Sequence, residues 1–285
     1  MKNKTGKKVL YYAILAILLG VFCFSGYQIY SYYSEQNAST SLNEEIVREY
    51  TIRKTGEAKE YFEVDFDQLR QQNEDVTAWL YLPDSVINYP VLQHGDNDYY
   101  LTRQIDGSYN KNGSIFMDYR NASDFSDRNT IIYGHRMNNR SMFGTLKKYK
   151  SLDYFRKHPY VYLTTDAGSA RYEIFAAYEV ATDGETYRLG FGSDSAKQAF
   201  LDYCVGQSVI DTSVTPQVWD RIITLSTCTG RGHETRWVVQ ARLPGEAPAE
   251  PELTPEEPAE DPAVTQEEPV QAPEAPEEGE NDIPE

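Results

Sequence analysis

Three side chains of this sequence sit where they could carry acyl-transfer chemistry. Cys228 closes the run Ile222-Ile223-Thr224-Leu225-Ser226-Thr227-Cys228, and Arg236 opens the run Arg236-Trp237-Val238-Val239-Gln240-Ala241-Arg242-Leu243 after a loop of seven residues. Both runs are rich in β-branched and apolar residues, which is strand chemistry, and the polar, Gly-containing stretch between them is turn chemistry. A hairpin would bring Cys228 at the end of one strand close to Arg236 at the start of the next. A thiol held beside a guanidinium is a candidate activated nucleophile. His135 ends the apolar stretch Asn129-Thr130-Ile131-Ile132-Tyr133-Gly134-His135, so its imidazole should emerge at a strand end and serve as the base. Together the three describe thiol acyl transfer. The thiolate attacks a carbonyl, the imidazole gives a proton to the leaving amine, and the guanidinium stabilises the oxyanion. His233, in the loop between Cys228 and Arg236, is the rival base. Asn88 and Ser226 are candidates for contact with the substrate or the oxyanion. His94 and His158 read as surface or turn residues, and Asp118 and Asp124 as turn acids.

The elements that must position these groups follow from periodicity. Side chains alternate faces along a strand. Trp237, Val239, Ala241 and Leu243 therefore share the expected core face, and Arg236, Val238, Gln240 and Arg242 the other. On the first arm Ile223, Leu225 and Thr227 share one face, and Thr224, Ser226 and Cys228 the opposite one. Upstream, Trp79-Leu80-Tyr81-Leu82, Ile87–Leu92, Ser114–Asp118, Thr130–Tyr133, Tyr160–Thr164 and Tyr172–Val180 are short apolar runs separated by turn clusters, the pattern of a mainly β protein and a barrel. Asp65-Phe66-Asp67-Gln68 predicts a helix start with Asp65 as N-cap, ending near Asn73. Two helical insertions are expected, one around Met142–Tyr149 and one from Ser195 to about Val205. The second places Ala196, Ala199, Phe200, Tyr203 and Cys204 on one buried stripe. Cys204 is thus a core residue, and three scattered cysteines make no disulfide framework.

Taken in order, these runs resemble the sortases, and class B in particular. The resemblance rests on Thr224-Leu225-Ser226-Thr227-Cys228 followed by Arg236-Trp237-Val238-Val239, and on Tyr133-Gly134-His135. It extends through Val64-Asp65-Phe66 with Leu69 and Trp79, Ile87-Asn88-Tyr89-Pro90-Val91-Leu92-Gln93, Asp96-Asn97-Asp98-Tyr99-Tyr100-Leu101 and Gly113-Ser114-Ile115-Phe116-Met117-Asp118. Arg136 stands where class B sequences often have Asn, and the stretch from Cys228 to Arg236 is short for the class. The resemblance implies a sortase-type closed β-barrel with N-terminal helices and a long helix before the Cys-bearing strand. It implies a membrane-anchored cysteine transpeptidase that cleaves a C-terminal sorting signal after Thr, Asn-Pro-x-Thr-like or Pro-x-Thr-Gly-like. Cys228 would form the thioester, His135 would act as acid and base, and Arg236 would hold the oxyanion. The acyl group would pass to an amine of a peptidoglycan precursor, or of a pilin lysine in a polymerising member. Thioester aminolysis keeps the acyl group activated, so no cofactor or metal is implied. The pH–rate profile should be bell-shaped, because one group must be deprotonated and another protonated. The reading from another class is a non-catalytic peptide-binding surface protein, which the intact Cys/His/Arg set disfavours.

Charge and hydropathy divide the 285 residues. Residues 1–8 carry Lys2, Lys4, Lys7 and Lys8 and read as a cytoplasmic N-terminus. Residues 9–30 hold no charge, and these 22 positions are long enough to span a bilayer, which predicts a signal anchor with an exported remainder; the sortase resemblance implies that this remainder lies outside a Gram-positive cell. Residues 31–60 read as a partly helical extracellular stalk, and 61–243 as the catalytic domain. Residues 244–285 hold 10 of the 14 prolines and 15 acidic residues with no Lys or Arg, which predicts a disordered tail. That tail accounts for nearly all of the net charge of −17, so the folded part is close to neutral. A basic stripe is missing, as is zinc-type Cys/His spacing, so nucleic acid is not an expected partner. The expected partners are exported proteins with a sorting signal, the amine acceptor and the membrane.

Overall fold

The computed structural model describes residues 3–55, 60–228 and 234–246. A helix, α1, runs unbroken from Asn3 to Tyr50. Its apolar stretch has no protein packed on it, and it is the one described helix long and apolar enough to cross a membrane. Its far end is buried through Gln36, Ile46 and Tyr50. The helix stops where β-branched residues begin, with the Thr51 hydroxyl donating to the Val47 carbonyl at 2.6 Å. After the helical residues 31–50, β1 (Thr51–Thr55) and β2 (Glu60–Val64) pair antiparallel as a ribbon. The ribbon carries buried Phe62 against Tyr81, with ring centroids 4.8 Å apart. Asp65 then caps α2 (Phe66–Gln72) by accepting from the Gln68 N–H at 3.0 Å, and Asn73 ends it, as the sequence predicts.

The catalytic-domain candidate is a closed barrel of β3 (Val76–Tyr81), β4 (Asn88–Leu92), β5 (Phe116–Met117), β6 (Asn129–Tyr133), β7 (Tyr160–Thr165), β8 (Gly168–Ala181), β9 (Arg221–Cys228) and β10 (Thr235–Leu243). Around the barrel the order is β10-β8-β7-β3-β4-β5-β6-β9, closed by β9 against β10. The expected insertion near Met142 is a 3₁₀ helix, Phe143–Lys150, followed by the short α3 (Leu152–Lys157). The second insertion is α4 (Asp194–Gln207), capped by the Ser193 hydroxyl on the Ala196 N–H.

Apolar side chains from Leu80, Val91, Leu163, Leu225, Trp237 and Val239 fill the barrel. Strand alternation puts Val238 and Gln240 on the face opposite the core, and both are nevertheless fully buried. The reason is α4, which lays Phe200, Leu201 and Cys204 over Val238 and Ile222 on the outside of the barrel. Burial pushes the Cys204 thiol up to about 11, and the residue is packing, as expected. Gln240 is satisfied by Tyr178 and Thr224, at 2.9 and 3.0 Å.

Candidate functional site

Strand direction explains the site. β6 and β9 run parallel, with Tyr133 opposite Ser226, so both strands end on the same side of the barrel. The pairing continues one residue past β6. The Gly134 N–H donates to the Ser226 carbonyl at 3.2 Å, and the Thr227 hydroxyl donates to the Gly134 carbonyl at 2.7 Å. Gly134 has no room for a side chain, because a Cβ there would lie 2.4 Å from Ile115 and 2.7 Å from Phe143. His135 therefore leaves its strand beside Cys228. β10 runs back antiparallel from the same end, with Arg236 paired directly to Cys228. Three adjacent strand ends thus deliver Cys, His and Arg to one place, and all three side chains are half-buried.

They line an open cleft of about 270 Å³ together with Asn97, Leu101, Tyr133, Thr182, Tyr187 and Ser226 among others. The His135 Nε2 atom donates to the Leu101 carbonyl at 2.8 Å. A carbonyl only accepts, so Nε2 carries a proton and Nδ1 is the atom left to exchange one. Ser226 is 1 % exposed, and its hydroxyl bonds the Tyr187 hydroxyl at 2.9 Å. Burial pushes the Tyr187 phenol up to about 12, against the pull of Arg236. The turn carrying Tyr187 is held by buried Asn129 of β6, whose amide donates to the Thr186 and Arg188 carbonyls at 3.1 and 2.8 Å.

Asp118 supports the opposite wall. Its fully buried carboxylate accepts from Asn97 at 3.1 Å, from the Tyr133 hydroxyl at 3.0 Å and from the Arg120 guanidinium at 2.8 Å. Burial alone would raise this carboxyl, but the bonds from Arg120 and Tyr133 more than offset it and hold it below the usual carboxylate range.

Asn88 does not join the cleft. Its side-chain oxygen accepts from the indole N–H of buried Trp79 at 2.7 Å, so the substrate-contact reading of Asn88 gives way to a structural one. His94 pairs with Asp75 at 3.0 Å and His158 with the Pro83 carbonyl at 3.0 Å, both away from Cys228. His233 and the acidic tail beyond residue 246 lie outside the described residues. Leu101, Asn97, Thr182 and Tyr187 carry little signal as site residues in the sequence. They sit in loops and short 3₁₀ turns, and among them only Asn97 and Leu101 belong to a stretch that carries the resemblance. Among the described residues, no group of three or more His, Cys, Asp or Glu could hold a metal ion. A larger cleft of about 940 Å³ runs along the β1–β2 ribbon, but neither Cys nor His lines it.

Known proteins are similar to this chain in sequence and fold. The sortase domain family matches residues 80–244. Sortase B of Listeria monocytogenes is 36 % identical over 238 residues, covering 81 % of this chain and 95 % of that protein. The solved structure of sortase B from Bacillus anthracis in complex with AAEK1 superposes with a TM-score of 0.66 at 34 % identity, covering 74 % of this chain and 98 % of that one. The Staphylococcus aureus sortase B–substrate complex superposes with a TM-score of 0.60 at 35 % identity, covering 64 % and 85 %.

Proposed function

The chain belongs to the sortase family, class B, and is a cysteine transpeptidase acting on sorting signals; from that premise we propose that Cys228, His135 and Arg236 perform the transfer. The observation that carries the assignment is the meeting of three strand ends at one cleft, with Cys228 paired to Arg236 across β9 and β10.

The chemistry balances in two steps. The Cys228 thiolate adds to the carbonyl carbon after the Thr of the sorting signal, and the Arg236 guanidinium takes up the charge on the carbonyl oxygen. The C–N bond breaks, His135 gives its proton to the leaving amine, and a thioester remains. An acceptor amine then adds to the thioester carbonyl and returns a proton to His135. The C–S bond breaks and restores the thiolate. One amide is exchanged for another, so neither oxidant nor nucleotide is consumed. The sorting signal is of the Asn-Pro-x-Thr or Pro-x-Thr-Gly type, and the acceptor is an amine of a peptidoglycan precursor.

The Val9–Tyr30 stretch is read as the anchor, with the Lys-rich residues before it cytoplasmic and the barrel outside a Gram-positive cell. The exposure of its apolar side chains supports that reading. The test is a panel of peptides of both types with amine acceptors, with products identified by mass spectrometry. A ligated product that depends on Cys228 is expected, and the peptide that supports it names the signal. Peptide binding without any acyl-enzyme would point to a binding module instead.

A further inference from the structure

We propose that two loops gripping α1 just beyond its apolar stretch form a collar that docks on the phospholipid headgroups at the outer surface of the membrane. The inference rests on the anchor reading above and extends it from a tether to a surface. Because α1 is continuous from Asn3 to Tyr50, positions along it are spaced by about 1.5 Å per residue. Tyr32 therefore lies about 3 Å, and Glu35 about 8 Å, beyond Tyr30, where the uncharged stretch ends. The headgroup layer on one side of a bilayer is roughly 5–8 Å deep.

The barrel meets the helix inside that interval. Asn138 Nδ2 donates to the Tyr32 hydroxyl at 3.4 Å. Asn110 Nδ2 donates to the Glu35 carbonyl at 3.0 Å, and Lys111 Nζ lies 3.9 Å from the Glu35 carboxylate. Loops 106–112 and 136–141 are thus held at headgroup level on an uninterrupted helix.

Their composition suits that level. Tyr109, next to the Asn110 that bonds the helix, is 62 % exposed, Tyr32 and Tyr33 of the helix are exposed as well, and tyrosine favours a site with one wet and one apolar side. Arg140 is exposed, and its side chain has no ion pair or hydrogen bond among the described residues. It stands in the left-handed region at φ 69° within a built turn. That turn is closed by the Arg140 N–H on the Met137 carbonyl at 3.1 Å and by the Ser141 hydroxyl on Asn139 at 2.7 Å. A guanidinium offered in this way fits a phosphate, with two parallel hydrogen bonds. The nearby acids are occupied: Glu35 faces Lys111, and Asp106 accepts from the Ser108 N–H.

The collar has a consequence for the reaction. Loop 136–141 begins directly after His135, so the strand end that forms the cleft is also tied to the membrane surface. Substrates tethered to the same membrane meet the cleft at a fixed height, and free peptides do not gain from it.

The test uses the full chain in nanodiscs of phosphatidylglycerol and phosphatidylcholine and, separately, in maltoside micelles. Amide exchange of residues 106–112 and 136–141 should slow at least tenfold in nanodiscs relative to micelles. The double variant Tyr109→Ser/Arg140→Gln should lose that protection. It should also ligate a lipid-tethered sorting peptide severalfold more slowly, with the rate on the soluble peptide unchanged. Equal exchange in nanodiscs and micelles, with the chain still resistant to carbonate extraction, would overturn the collar and leave the anchor standing. Release of the chain by carbonate would overturn both.

Discussion

The ring of His135 is held by a carbonyl rather than by a carboxylate: Nε2 donates to the Leu101 oxygen at 2.8 Å. That oxygen is itself pinned. Gly113, at φ +58°, packs so closely beneath it that a Cβ would fall 2.6 Å from the Leu101 oxygen and 2.3 Å from that of Tyr100. The Tyr100 side chain is tied down in turn, donating to Asp75 at 2.7 Å and accepting from Asn73 at 2.9 Å. The imidazole is thereby oriented by backbone, a neutral partner that fixes the tautomer without adding charge to the cleft.

Gly113→Ala should therefore displace the carbonyl that orients His135. The expected effect is a fall in kcat of about 10- to 100-fold with KM little changed, since small misplacements of a catalytic group cost this much. Alkylation of Cys228 by iodoacetamide should stay close to wild type. Loss of alkylation and activity together would mean general collapse of the site instead.

Tyr187→Phe removes the bond to Ser226, worth about 0.5–1.5 kcal/mol, so kcat/KM should fall about 2- to 10-fold. The double variant Tyr187→Phe/Ser226→Ala should be little worse than either single one, because the two hydroxyls share that bond. With its phenol pushed up to about 12, Tyr187 stays protonated at working pH, and the pH–rate profile of Tyr187→Phe should keep the wild-type shape. A shifted alkaline limb would assign Tyr187 a titrating role.

Asn88→Ala should act on stability alone. It strands the indole N–H of Trp79, a fully buried side chain, at a cost of about 1–3 kcal/mol. Thermal unfolding should show this loss while kcat/KM at 25 °C holds. A large loss of kcat/KM in a folded variant would restore the substrate-contact reading.

The strands of the barrel and the Cys228–Arg236 pairing are readable because both depend on short-range pattern. The runs ending in Cys228 and starting at Arg236 have strand composition, and a hairpin needs nothing else to pair them. His135 is readable from the apolar run before it. Long-range closure is not. Val238 and Gln240 are buried because α4, distant in sequence, covers the outer face. The β1–β2 ribbon is hard to read because Thr51–Val64 is polar, and its pairing is decided by Phe62 meeting Tyr81. Leu101 reaches His135 across 34 residues through a backbone oxygen, and no residue type signals that.

Lys197 gives a pH-dependent stability test. Its ammonium is fully buried and donates to the Asp220 carbonyl, and burial, helped by Arg128, pulls its pKa down to about 8. Between that value and the ordinary 10.5 the unfolded chain keeps a proton that the folded chain has released, so stability rises with pH over this window. Below pH 8 the cost of the buried charge is fully present. Relative to wild type, Lys197→Met should be most favourable at pH 7. That advantage should shrink by up to about 1.4 kcal/mol per pH unit on the way to 10.5. A difference that does not change with pH would rule out burial as the cause.

Whether Cys228 carries the acyl group is decided by intact-mass spectrometry of the chain with a sorting peptide and no acceptor amine. The expected result is a peptide adduct on Cys228, released by hydroxylamine, absent in Cys228→Ala, and accumulating more slowly in His135→Ala and Arg236→Ala. Cleavage of the peptide by Cys228→Ala at the wild-type rate, or an adduct mapped to another residue, would refute the assignment of Cys228 as the nucleophile.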